Sequence, residues 1–188
     1  MTIMVDANHA YDATAAIRVG RQIEDLDIAR LEEPVPPEDL QGYRQVKSAL
    51  HIPIAGGEAE FTRWGFRPIL VERAIDILQP DVCAVGGFSE CKKIGEHGER
   101  LRGARQPACV GDRHRLAASL QLMAVLPDNP PALNPVAPLL ELDQSEYPIR
   151  MAILKQPILH QAGWVEAPTG PGLGIEIDRA AVAKFRIS

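Results

Sequence analysis

Ile28-Ala29-Arg30-Leu31-Glu32-Glu33-Pro34 is a short, mostly apolar run that ends in carboxylates and is stopped by a proline. It reads as a buried strand with an acid at its C-terminal end. The same design recurs on either side. Ile3-Met4-Val5 ends in Asp6, Ile52-Pro53-Ile54-Ala55 leads to Glu58, and Ile75-Asp76-Ile77-Leu78 leads to Asp81. The acids are separated by 26, 26 and 23 residues, and each gap fits one strand, one helix and their loops. Parallel strands of a β/α barrel bring their C-terminal ends to one mouth, where such folds keep their chemistry. Carboxylates gathered there repel one another unless a divalent cation lies among them. The pattern therefore predicts a metal site.

The segments between the acids carry helical periodicity. Ala16, Val19, Ile23 and Leu26 recur at three- and four-residue steps and predict a helix from Asp12 or Ala13 to about Leu26. Leu40, Tyr43, Val46 and Leu50 predict a second after Pro36-Pro37, with Pro37 suited to its first turn. A third is expected over about Arg63 to Arg73, with Trp64 and Phe66 packing it. A fourth should start at Ser89 as N-cap and run toward Arg100, and a fifth should span about Leu116 to Leu126. Alternation of this kind argues for a parallel sheet with helices outside.

Beyond residue 126 the pattern changes. Pro127 to Pro138 holds five prolines and is a loop. Leu139-Leu140-Glu141-Leu142 reads as one more short strand ending in an acid, and Ile158-Leu159 with Trp164-Val165 reads as a hairpin. Gly170, Gly172 and Gly174 do not join a strand to a helix, so they carry no dinucleotide fingerprint.

Composition narrows the function classes. The chain has 188 residues and a net charge of −5, enough for a sizeable core but short of the roughly 250 residues of a full eight-unit barrel. Its densest basic stretch, Arg100 to Arg115, has no interleaved aromatics, which argues against nucleic acid. No apolar run is long enough for a membrane span or signal segment. Cys83, Cys91 and Cys109 are odd in number and lack finger spacing, so a reducing cytoplasm is expected.

In order, VDAN at 5–8, EEP at 32–34, GGE at 56–58, QPD at 79–81, LLELDQSEYP at 139–148 and WVEAPTGPGLGIEID at 164–178 resemble the C-terminal barrel domain of the enolase superfamily, in its mandelate racemase/muconate lactonizing enzyme branch. Each motif is common; the ordered set at barrel spacing is specific. The resemblance implies an α/β fold, a partial (β/α) barrel of about six of eight units (strands three to eight), over residues 1–150. Residues 151–188 would form a hairpin and tail that pack on a capping domain. It implies that Asp6, Glu32 and Glu58 bind Mg2+, with Mn2+ as an alternative, and that Asn8 and Glu33 support them. Asp81 matches the acid that orients a catalytic His, and Glu141 the acid that meets the substrate carboxylate. Hard oxygen donors agree with that metal choice. The implied reaction is removal of the proton α to a carboxylate, with acid-sugar dehydration favoured over racemisation by the EYP ending and the GGEAEFTRWGF loop. Relatives commonly form larger assemblies, so a homo-oligomer is the expectation for the full-length family.

The resemblance also exposes departures. The first two strands, the Lys-x-Lys motif on the second and the capping domain have no counterpart here, which marks the chain as a truncated copy with no activity expected of it alone. Where the family has Pro-His-Val-Trp-Gly-Thr-Gly-Ile-Gly, this chain reads Pro107-Ala108-Cys109-Val110-Gly111-Asp112-Arg113-His114-Arg115. One codon set for residues 101–115, read one base later, yields the family motif. A compensated frameshift is the hypothesis, and a nucleotide sequence that cannot be read that way removes it. A non-catalytic remnant that at most holds a divalent ion is the competing reading.

Overall fold

The computed structural model describes residues 2–100, 104–105, 113–125 and 139–186. Five parallel strands form one sheet: β1 (Ile3–Asp6), β2 (Ile28–Glu32), β3 (Ile54–Gly56), β4 (Ile77–Leu78) and β5 (Ala104–Arg105). They lie in the order β1-β2-β3-β4-β5, each beside its neighbour in sequence. A doubly wound sheet reverses its order at a switch point; this one winds in one direction, as the wall of a barrel does. The expected parallel α/β architecture is present. Barrel closure is not: β1 and β5 are the two ends of the sheet among the described residues.

Helices α1 (Ala13–Ile23), α2 (Leu40–Ala49), α3 (Thr62–Glu72), α4 (Phe88–Arg100) and α5 (Arg113–Met123) follow the strands in turn. Asp12 caps α1 by accepting from Ala15 N–H, and Asp39 caps α2 by accepting from Gly42 N–H. Ala16, Val46, Phe66, Ile69 and Ile94 bring the helices onto Leu31, Ile54 and Leu78 of the strands in one continuous core.

Several boundaries differ from expectation, each for a local reason. α1 ends at Ile23 and tightens into a 3-10 turn over Glu24–Leu26. The prolines lie outside α2, because Asp39 supplies the cap. Ser89 lies inside α4 rather than at its cap. Of the pair expected to pack α3, Phe66 is fully buried while Trp64 is exposed, with the Arg63 guanidinium 4.9 Å over its ring. Leu139–Leu142 forms no strand, so Glu141 reaches the mouth from an irregular segment. The expected sixth unit is absent among the described residues. The proline-rich loop at 127–138 and most of the altered motif at 101–115 lie outside them.

The hairpin is β6 (His160–Gln161) and β7 (Trp164–Val165), joined by Ala162-Gly163, both at positive φ. That is the primed two-residue turn whose twist matches its strands. Two short helices flank it in sequence, α6 (Pro148–Ala152) and α7 (Arg179–Lys184). The tail packs on α5: Leu116, Ala117 and Leu120 form a second cluster with Ile153, Leu154 and Ile158.

Candidate functional site

The strand register assembles the mouth. Asp6 is the direct partner of Glu32 across β1 and β2, and Glu32 is the partner of Ala55 across β2 and β3. The Gly56-Gly57 step carries the chain from β3 to Glu58. The backbone is bent sharply here, with Asn8, His9 and Glu33 all at positive φ, and non-glycine residues held this way collect where a site is being shaped. Asn8 N–H donates to Asp6 Oδ1 at 2.8 Å. His9 Nε2 lies 2.9 Å from Glu33 Oε2.

The carboxylates feel one another. Burial pushes the Glu33 carboxyl up to about 8, and the charges of Glu58, Asp6, Glu32 and Glu141 push the same way. Glu58 is raised by burial first and then by Glu32, Asp6 and Asp81, with His9 opposing. Glu141 is raised by burial first, then by Glu32, with Arg30 opposing. Five of the six acids singled out from the sequence thus share one field: Asp6, Glu32, Glu33, Glu58 and Glu141. Asp81 joins through Glu58.

The fit to a divalent cation has two sides. The donor set is entirely hard oxygen, and Glu33 Oε1 is buried without a hydrogen-bond partner among the described residues. Both suit Mg2+ or Mn2+. The side chains, however, are not drawn into a sphere: among the described residues no three His, Cys, Asp or Glu stand as a group placed to hold an ion. Several of them are held by protein cations instead. Arg30 Nη2 lies 3.0 Å from Glu32 Oε2 and pairs with Glu141 Oε1, to which Gln79 Nε2 also donates at 3.3 Å. Arg115 Nη1 lies 3.1 Å from Asp81 Oδ2, whose Oδ1 accepts from Cys83 N–H.

Arg30, Gln79 and Arg115 escape a reading of the sequence for acids. One signal for Arg30 was available: it precedes Glu32 by two residues, and two residues along a strand is the same face. For Arg115 none was, because its neighbourhood departs from the motif expected there.

The chain is 43% identical over 191 residues to D-galactarolactone cycloisomerase of Agrobacterium fabrum, covering all of this chain and 50% of that protein. It is 35% identical to arabinonate dehydratase of Saccharolobus solfataricus, covering 98% and 47%. The crystal structure of 3,6-anhydro-D-galactonate cycloisomerase from Zobellia galactanivorans superposes with a TM-score of 0.88 at 35% identity, covering 98% of this chain and 50% of that one. The chain therefore spans about half the length of the relatives it matches. Among the described residues no helix is long and apolar enough to cross a membrane. Residues 1–181 match the enolase C-terminal domain-like family, and with acids, register and sheet order in agreement, the chain belongs to that family within the enolase superfamily.

Proposed function

We propose that this mouth descends from, and retains part of, a site for Mg2+-assisted removal of the proton α to the carboxylate of an acid sugar. The observation that carries the reading is the Asp6–Glu32 register pair, in one electrostatic field with Glu58 at the C-terminal end of a parallel sheet. Asp6, Glu32 and Glu58 would hold the ion. When bound, a divalent cation supplies charge stabilisation for the enediolate of a carboxylate substrate. Glu141 and Gln79, joined by a hydrogen bond at 3.3 Å, lie at the same mouth and would orient the substrate there.

Dehydration is the favoured outcome. Loss of the α-proton followed by departure of a β-oxygen releases water when that oxygen is a hydroxyl. When it is a ring oxygen, the leaving group stays tethered and the product is an isomer. One β-elimination site thus suits relatives named as dehydratases and as cycloisomerases. Return of the proton to the same carbon would give a racemase, the secondary reading.

The chain alone is proposed not to complete the reaction. Asp81 is paired with Arg115, a group that stays protonated in proteins and cannot act as a base, and position 108 carries alanine. The test has two arms. Calorimetric titration with Mg2+ should show millimolar binding that Asp6→Asn and Glu58→Gln abolish; equal binding by all three overturns the metal assignment. Proton exchange in D2O at the α-carbon of aldonic and aldaric acids should be absent, and measurable exchange overturns the inactive reading.

A further inference from the structure

Arg30 is a cation built into the mouth of the sheet. It sits in the middle of β2 and is only 4% exposed, where a charge persists only when paired. Its partners are two of the acids the site depends on. The same nitrogen, Nη2, meets Glu32 Oε2 at 3.0 Å and Glu141 Oε1. Glu32 and Glu141 come from distant parts of the chain, and Arg30 holds them together across the opening.

Other acids of the mouth also meet protein groups of their own. His9 meets Glu33, Arg115 meets Asp81, and Asn8 N–H meets Asp6. Glu32 and Glu141 therefore lie against one guanidinium and Asp81 against another, rather than around one shared centre.

We propose that Arg30 is an internal competitor of the divalent cation: its guanidinium occupies Glu32, so Mg2+ binds only when that ion pair opens. The proposal rests on the metal reading above. A guanidinium does not escape by deprotonating, since it stays charged in proteins. When Glu32 turns to the metal, Arg30 stays on Glu141, and its positive charge remains beside the ion. Both effects lower affinity, one by occupying a ligand and one by repulsion in a partly desolvated site. Arg30 is in this sense a positioning residue that sets metal affinity, not a catalytic one.

The experiment is Mg2+ titration of the full chain, read by thermal shift and calorimetry, for the parent, Arg30→Gln and Arg30→Lys. Arg30→Gln should bind at least about tenfold more tightly than the parent, because charge and competitor are both gone. Arg30→Lys keeps the charge and should stay close to the parent. In the parent, the Arg30 Nε–H resonance, assigned by its loss in Arg30→Lys, should move along the same Mg2+ isotherm; this readout serves where Arg30→Gln does not fold. Equal midpoints for parent and Arg30→Gln, or an Arg30 resonance indifferent to Mg2+, overturn the proposal and leave the metal site standing. Equal tightening by Gln and Lys shows that charge is not the cause and also overturns it. No response to Mg2+ in any variant removes the metal reading and the proposal together.

Discussion

Glu58 reaches the mouth because Gly57 lets the chain turn there. Gly57 has φ +113°, a conformation that side chains rarely adopt, and a Cβ at this position would lie 2.8 Å from Cε1 of Phe66. Phe66 is fully buried and anchors α3 on the sheet, so it has little room to yield. Gly57→Ala should therefore cost about 2–4 kcal/mol, backbone strain and overpacking together, read as a lowered urea midpoint at unchanged slope. The same variant should weaken Mg2+ binding by displacing Glu58. An unchanged midpoint would show that the turn relaxes freely. The acids of this site are legible in the sequence because each follows an apolar run at regular spacing. Their partners are not. The ion pair of Arg30 with Glu141 joins residues 111 positions apart, and no local pattern announces a contact made only when the sheet and the last segment meet.

Among the elements, α3 shows how one helix completes another. Phe61, at its N-cap, offers no side-chain hydrogen bond, which leaves the first N–H groups of α3 to outside partners. Glu90 of α4 supplies one: its Oε2 accepts from Arg63 N–H at 3.1 Å, while Oε1 lies 2.5 Å from Arg63 Nη1 and 3.1 Å from Lys93 Nζ. The backbone hydrogen bond from Arg63 is the largest cause holding the Glu90 carboxyl below its ordinary value of 4.5, with Lys93 next. A depressed carboxyl contributes stability that is present above the unfolded value and lost as pH falls through the folded one. The α3–α4 clasp should therefore hold at neutral pH and loosen below about pH 4.5. Glu90→Gln should flatten the acid limb of the melting-temperature profile in that range, and an acid limb identical to the parent's would remove the clasp from consideration. Helix existence was readable from three- and four-residue spacing, and so were some ends, Ala13 of α1 and Arg100 of α4 among them, whereas caps supplied from elsewhere were not. A carboxylate from the next element caps α3, and Asp39 rather than Pro37 sets the start of α2.

At the scale of the whole molecule, the sheet of the described residues runs in barrel order from β1 to β5. β1 pairs only with β2 and β5 only with β4 among the described residues, which leaves two strand edges with unpaired backbone groups. Sheet order was foreseeable from the sequence, because strand–helix alternation without a long crossover makes each strand the neighbour of the last. The outcome at Leu139–Leu142 was not, because an apolar run suits a strand but does not itself make one, and among the described residues this segment pairs with no strand. Apolar surface compounds the exposed edges. Trp164, Leu159, Trp64 and Val71 are all more than half exposed, and an open cleft of about 800 Å³ lies between α5 and the hairpin, lined by Leu120, Met123, Leu140, Trp164 and Val165. Open edges and apolar patches both favour association. The isolated chain should therefore run well above its 20.5 kDa mass in size-exclusion chromatography with light scattering, and it should bind a hydrophobic dye. Trp164→Lys and Leu159→Glu place charge beside the cleft and should reduce that association without lowering the helical circular-dichroism signal. A single monomeric peak from the parent chain at micromolar concentration would mean that neither edges nor cleft drive assembly, and that the five-strand wall is sufficient by itself.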